Sequence, residues 1–253
     1  SGGIDSALTA TIAVDALGSD NVTGVALPSK YNTEESLVDA RLLAENLDIE
    51  FKVIEIEEIV NIFRNTLKES VDEELGQITD ENIQSRVRGN ILMALSNQTG
   101  AMVVSTGNKS EMAVGYSTLY GDLAGGFALL KDLYKTEVYN LANFRNSISS
   151  VIPQNTIDKE PSAELRPDQF DKDSLPEYEL LDEILRMYIE EDSSSEKIIS
   201  KGIDENIVYD VLSKVDRNEY KRKQVAPGVK LTEKAFGKDR RMPITNTYIR
   251  ERG

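Results

Sequence analysis

The chain has 253 residues, 40% of them hydrophobic and 29% charged, with no Cys, no His and no Trp. That balance belongs to a folded globular protein and excludes disordered and collagen-like classes, disulfide frameworks, thiolate nucleophiles, imidazole bases and His or Cys metal sites. A net charge of −15 weighs against a nucleic-acid partner, because phosphate backbones require a surplus of Lys and Arg.

Chemistry here must therefore run on carboxylates, Lys, Arg, Tyr, hydroxyls, backbone amides or a hard metal ion. The charge is uneven: residues 1–213 hold 17 basic and 39 acidic side chains, whereas residues 214–253 hold 12 basic and 5 acidic ones. The basic end reads either as a solvated terminus or as a source of cations for an anionic ligand. No apolar run approaches the ~18 residues of a membrane span. The glycine-rich opening also lacks the basic-then-apolar pattern of a signal peptide. A cytoplasmic protein with no membrane or nucleic-acid partner is expected, folded as one domain over residues 1–253.

In chain order, residues 5–17 predict a helix rich in small residues (Ala7, Ala10, Ala13, Ala16), and residues 22–27 a strand. Asn32, with Glu35 three residues on, predicts the cap of a second helix whose buried stripe is Leu37, Ala40, Ala44 and Leu47. Residues 51–56 alternate as a strand and lead into a helix over about 57–67. A long helix is expected over 79–97, a buried strand over 101–106 and another helix over 134–144. This alternation is the pattern of βαβ units around a parallel sheet with flanking helices. Near Pro153 the texture changes: Pro161, Pro167 and Pro176 punctuate a polar stretch, so residues 154–176 read as a mobile loop. Residues 177–253 read as a helical and then irregular extension, with helices over 177–191 and 204–223.

Ser1-Gly2-Gly3-Ile4-Asp5-Ser6, opening into a helix, is the strongest local signal. Two glycines let backbone approach a ligand closely, and a helix N-terminus offers unpaired N–H groups and the positive end of its dipole. That suits a pyrophosphate, although a glycine turn with an ordinary helix cap has the same appearance. There is no Walker A loop. Asp5 and Glu111 are candidate ligands for Mg²⁺, which takes one or two carboxylates with substrate phosphates; either acid also reads as a cap. Arg86 and Arg88 lie two apart on a helix, hence on different faces, so one faces an anion while the other is solvated. Lys109 reads as an exposed lysine rather than a phosphate ligand, and Tyr116 and Tyr120 as half-buried rings or stacking platforms.

The hexapeptide Ser1–Ser6 resembles the pyrophosphate loop of the N-type ATP pyrophosphatases, a group with an adenine nucleotide alpha hydrolase-like fold. Three later segments then occur in order: Glu81-Asn82-Ile83-Gln84-Ser85-Arg86-Val87-Arg88, Ser105-Thr106-Gly107-Asn108-Lys109-Ser110-Glu111 and Gly115-Tyr116-Ser117-Thr118-Leu119-Tyr120-Gly121-Asp122. With Lys131-Asp132-Leu133-Tyr134-Lys135 they closely resemble the NAD synthetases, and Ala226-Pro227-Gly228 through Lys238-Asp239-Arg240-Arg241-Met242-Pro243-Ile244 resembles the form fused to a glutaminase.

The resemblance implies an ATP-dependent ligase that adenylates the nicotinate carboxylate of deamido-NAD and releases AMP and pyrophosphate as ammonia forms the amide. It implies that Ser1, Gly2, Gly3, Asp5, Ser6, Thr106, Lys135 and Ser162 serve ATP. Asp5 and Glu111 would hold Mg²⁺, with Lys135 beside them as the third catalytic group. Asn82, Arg86, Glu111, Tyr116, Ser117, Thr118, Leu119 and Lys221 would meet deamido-NAD. It further implies a first strand and a glutaminase upstream of Ser1, and a homodimer or larger assembly. The rival readings are another N-type ATP pyrophosphatase, such as a GMP synthetase or a tRNA-modifying enzyme, and a non-catalytic nucleotide-binding module. The acidic balance weighs against tRNA, and the absence of Cys against thiolation.

Overall fold

The computed structural model describes residues 2–71 and 74–245. Helix α1 (Ile4–Leu17) runs into strand β1 (Thr23–Ala26), helix α2 (Glu34–Asn46), strand β2 (Glu50–Val53) and helix α3 (Glu57–Lys68). The long helix α4 (Gln77–Thr99) precedes β3 (Val104–Ser105), the short α5 (Lys109–Val114) and β4 (Phe127–Ala128). Helices α6 (Lys135–Ile148), α7 (Gln154–Asp158), α8 (Tyr178–Leu185), α9 (Ser195–Ile199), α10 (Glu205–Arg217) and α11 (Glu219–Arg222) complete the described chain. The α/β class with parallel strands and flanking helices is as expected.

The strands pair in parallel, with Thr23 opposite Glu50 and Ala26 opposite Val53, and separately with Val104 opposite Phe127 and Ser105 opposite Ala128. Among the described residues they form two two-stranded sheets rather than one continuous sheet. The strand expected over 101–106 shrinks to two residues, and the β4 partner had no periodic signal because a two-residue strand cannot show one.

The helical end is packed by stripes. Leu181, Ile184 and Leu185 of α8 meet Val208, Val211, Leu212 and Val215 of α10, all fully buried, at the i, i+3, i+4 spacing of one helix face. Each such side chain contributes roughly 2 kcal/mol of transfer free energy. The chain continues from α8 through a wider π turn, Arg186–Glu190, which carries the helix to the end expected from sequence. The helix expected over 204–223 instead breaks at Asn218. Its side-chain amide donates to the carbonyls of Lys214 and Val114, satisfying one end of α10 and tying it to α5. At the other end of the molecule, the small faces of α1 and α6 pack through Ala7, Leu8, Val138 and Ala142. Among the described residues no helix is long and apolar enough to cross a membrane.

Candidate active site

The glycine turn at the head of α1 is built as the sequence requires. Gly2 has a φ of +76°, and a β-carbon there would stand 2.4 Å from the carbonyl oxygen of Ser36, so the turn lies directly on the first turn of α2. Gly3 takes the cap position of α1 and, being a glycine, brings no capping side chain of its own, and the Ser6 hydroxyl donates to the Gly3 carbonyl. Ser1 lies outside the described residues.

Asp5, in that first turn, meets two other elements. The Lys135 ammonium at the start of α6 donates to Asp5 Oδ2 at 2.5 Å and to Glu111 Oε1 at 3.2 Å. Lys135 is buried, whereas the two carboxylates keep an open side, with side-chain exposures of 17% and 18%. Burial pushes the Glu111 carboxyl up to about 8, with repulsion from Asp5 adding to it and Lys135 opposing. Burial alone would lower Lys135, but Asp5 and Glu111 overrule it and hold its proton more tightly than usual. Among the described residues no three acids gather around a metal position. The pair nevertheless suits Mg²⁺ by its chemistry, since that hard cation takes one or two carboxylates and completes its shell with phosphate and water.

Around this cluster stand residues that no sequence motif marked. The Asp182 carboxylate accepts from the Ser110 hydroxyl and from the Thr136 amide, while Ser110 Oγ accepts from the Lys135 amide, so α8 and α5 fix the backbone that presents Lys135. Asp171, buried and contributed by the proline-rich stretch, accepts from the Tyr178 hydroxyl at 2.8 Å. Its second oxygen has no hydrogen-bond partner. The Tyr178 ring lies 5.2 Å from the Lys135 ammonium. These residues come from loops and distant helices, where periodicity carries no information about neighbours.

The expected dinucleotide residues also converge. Thr118 Oγ1 donates to Asn82 Oδ1 at 2.8 Å, and Arg86 Nε to the Leu119 carbonyl at 3.2 Å. The Lys221 ammonium donates to the carbonyls of Gly115 and Ser117, each at 2.7 Å. The turn over residues 115–119 is thus held between α4 and α11. Asp122, the last residue of the 115–122 motif but given no role from sequence, anchors the same turn by accepting from the Thr118 amide and the Ser85 hydroxyl, and burial raises its carboxyl. Burial likewise raises the Tyr116 hydroxyl, with Asp171 adding to it. The Ser117 hydroxyl is buried without a hydrogen-bond partner. Thr106 sits half-buried between β3 and Asn108.

Three readings are corrected. Lys109 is fully buried, not exposed, and its ammonium is taken up by Asp132, Glu190, Thr232 and the Lys234 carbonyl. Arg88 is not solvated: it donates to the Leu27 carbonyl and Asn32 Oδ1, and burial pushes it down to about 10. Arg86 is the exposed arginine of the two. Tyr120 is 66% exposed with a φ of +64°, rather than half-buried.

Ser162 is engaged within its own turn, donating to the Gln169 carbonyl and accepting from the Glu164 amide. Glu164 then carries this stretch to the glycine turn. Its carboxylate accepts from Asn32, Ser36 and Lys159, and burial alone would raise it, but those donors hold it below its usual range.

A family model described as NAD synthase matches residues 1–225. The chain is 54% identical over 250 residues to the glutamine-dependent NAD(+) synthetase of Aquifex aeolicus, covering 99% of this chain and 44% of that protein. It therefore spans less than half the length of that relative. Among solved structures it is similar to the glutamine-dependent NAD+ synthetase from Acinetobacter baumannii in complex with ADP, at 48% identity and a TM-score of 0.62, covering 97% of this chain and 44% of that one. It is also similar to the NMN synthetase from Francisella tularensis, at 30% identity and a TM-score of 0.72, covering 92% of this chain and 86% of that one.

Proposed function

This chain belongs to the NAD synthase family, and from that premise we propose that it is the synthetase part of an enzyme that converts deamido-NAD to NAD with ATP and ammonia. The observation that carries the reading is the convergence of Asp5, Glu111 and Lys135 at the glycine-capped N-terminus of α1. A helix N-terminus, a buried ammonium and an open pair of carboxylates are the parts that binding and cleaving a nucleoside triphosphate requires.

In the first step an oxygen of the nicotinate carboxylate attacks the α-phosphorus of ATP, and pyrophosphate leaves. In the second, ammonia attacks the acyl carbon and AMP leaves, giving the amide. The amides after Gly3 receive phosphate oxygens, and Lys135 neutralises charge that grows on the departing pyrophosphate. Asp5 and Glu111 would hold Mg²⁺, which supplies charge neutralisation on the phosphates when bound. Asn82, Arg86, the 116–119 turn and Lys221 shape a seat for the dinucleotide, and holding two large anions in line removes much of the entropic barrier. The Ser162–Glu164 turn, tied to Ser36 against Gly2, closes the phosphate side.

With no Cys in the chain, a cysteine-type glutaminase reaction cannot run on its side chains. We assign the ammonia to a glutaminase region of a longer protein, in keeping with the name and greater length of the Aquifex relative. A cytoplasmic homodimer or larger assembly without nucleic-acid partners completes the proposal, the acidic charge being its support.

The test is formation of AMP and NAD by the full-length protein from deamido-NAD, Mg-ATP and ammonium, with Asp5→Ala as control. One NAD per AMP, lost in the control, is expected. AMP formed only with the corresponding mononucleotide, with xanthosine monophosphate or with tRNA would overturn the choice of acceptor.

A further inference from the structure

We infer that Asn108 is the positioning residue of the candidate metal pair: one end of its side-chain amide holds the Asp5 carboxylate, and the other caps the helix that carries Glu111. This rests on the proposed role of Asp5 and Glu111. Asn108 is fully buried at the cap of α5. Its Oδ1 accepts from the Glu111 backbone amide at 3.0 Å, and its own backbone N–H donates back to Glu111 Oε2 at 3.4 Å, so the two residues form a reciprocal cap. From the other end, Nδ2 donates to Asp5 Oδ1 at 2.8 Å.

The orientation of the amide follows from its neighbours. Glu111 presents an N–H, which needs the oxygen; Asp5 presents a carboxylate, which needs the NH₂. A flipped amide would set donor against donor and oxygen against oxygen, so only one arrangement satisfies both sides.

The consequence is geometric. Asp5 Oδ1 faces Asn108 while Oδ2 faces Lys135, and Glu111 Oε2 faces the Asn108 amide while Oε1 faces Lys135. In each acid one oxygen is held by Asn108, through its side chain for Asp5 and its backbone for Glu111, and the other meets the Lys135 ammonium. The Asn108 side chain thus fixes where Asp5 stands relative to the helix that carries Glu111. A partner in this position typically governs metal affinity by 10–100-fold. Glu111 lies on α5 itself, but Asp5 is 103 residues away in sequence, and Asn108 is what locks its carboxylate to α5.

The experiment compares Asn108→Ser with Asn108→Ala in the full-length protein. A serine keeps a good helix cap for the Glu111 amide but is too short to reach Asp5; alanine loses both bonds. Mn²⁺ is titrated by electron paramagnetic resonance with ATP present and deamido-NAD absent, and NAD formation is followed against Mg²⁺ and against deamido-NAD. For Asn108→Ser we expect a melting temperature near wild type, a Mn²⁺ Kd raised about 10-fold and a Mg²⁺ half-saturation raised in parallel. The KM for deamido-NAD should stay within about twofold and full NAD formation return at high Mg²⁺, whereas Asn108→Ala should also lose thermal stability. A folded Asn108→Ser protein with wild-type Mn²⁺ affinity overturns the inference, as does a variant whose deamido-NAD KM rises as much as its Mg²⁺ requirement. A wild-type protein that binds Mn²⁺ with ATP yet makes no NAD would overturn the proposed function instead, and the Mn²⁺ titration would still decide the role of Asn108.

Discussion

Lys109 and Lys135 lie in neighbouring elements, and each is a buried ammonium between two carboxylates. Lys109 has Asp132 at 3.0 Å and Glu190 at 3.1 Å; Lys135 has Asp5 at 2.5 Å and Glu111 at 3.2 Å. What separates them is where the carboxylates come from and what else holds them. Asp132 Oδ2 already accepts the amides of Leu231 and Thr232, and its Oδ1 accepts the Thr232 hydroxyl, so the late segment of the chain seals Asp132. Burial alone would raise Asp132, but those amides and Lys109 hold it below its usual range. Glu111, with fewer donors, is driven the opposite way by burial and by Asp5. The Lys109 cluster clasps the late segment of the chain through Asp132, whereas the Lys135 cluster stands at the N-terminal turn of α1, where a further cation and an anionic ligand can be received.

The largest effect should come from Lys135→Met in the full-length protein. AMP release is expected to fall about 100- to 1000-fold, the scale seen when one preorganised donor to developing charge is lost. Stability should change far less, because Asp5 and Glu111 keep contact with solvent. A Lys135→Met protein that unfolds would erase the distinction between the two lysines.

Lys109→Met should do the reverse. Removing the cation leaves Asp132 and Glu190 uncompensated and should cost about 3–5 kcal/mol in urea unfolding, with little change in Mg²⁺ half-saturation for the protein that remains folded. The Asp132 contribution has a definite pH direction. Its folded-state pKa is depressed, so its stabilisation is present above the ordinary aspartate range near ~3.9 and disappears as pH falls through the lower folded value. The gap between wild type and Lys109→Met should therefore narrow in acid; a gap that widens below that range contradicts the clasp.

The smallest effect concerns the partly exposed bidentate pair between Arg64 of α3 and Asp80 of α4, at 2.5 and 2.9 Å. Asp80→Asn should cost about 1 kcal/mol at neutral pH. Hydrogen bonding to Arg64 lowers Asp80, against burial, so this contribution too is lost as pH falls through the depressed pKa. Chemical denaturation at two pH values checks it, and activity should not change.

Much of this was legible in sequence. Gly2, Asp5, Asn82, Arg86, Glu111, Thr118 and Lys135 were named from ordered motifs and Lys221 from the family resemblance alone, and the structure brings all but Gly2 into two hydrogen-bond networks. Helix existence was legible as well, because a 3.6-residue stripe such as Leu181, Ile184 and Leu185 repeats within one turn or two. The break at Asn218 was not, since what stops the helix is a bond to Val114 more than 100 residues away.

By itself, then, the amino-acid sequence determined the chemistry available, namely carboxylates, Lys and backbone amides without Cys or His, and the alternation of strands and helices that makes an α/β fold. Only the tertiary structure decided that Lys109 is a clasp and Lys135 faces the site. It also supplied Asp171 and Asp182, gave Asp122 its anchoring role, and made the Asn108 side chain the link between Asp5 and the helix of Glu111. The reason is physical: composition and periodicity are local, whereas the charge state and orientation of a buried polar group depend on partners that the fold brings from far along the chain.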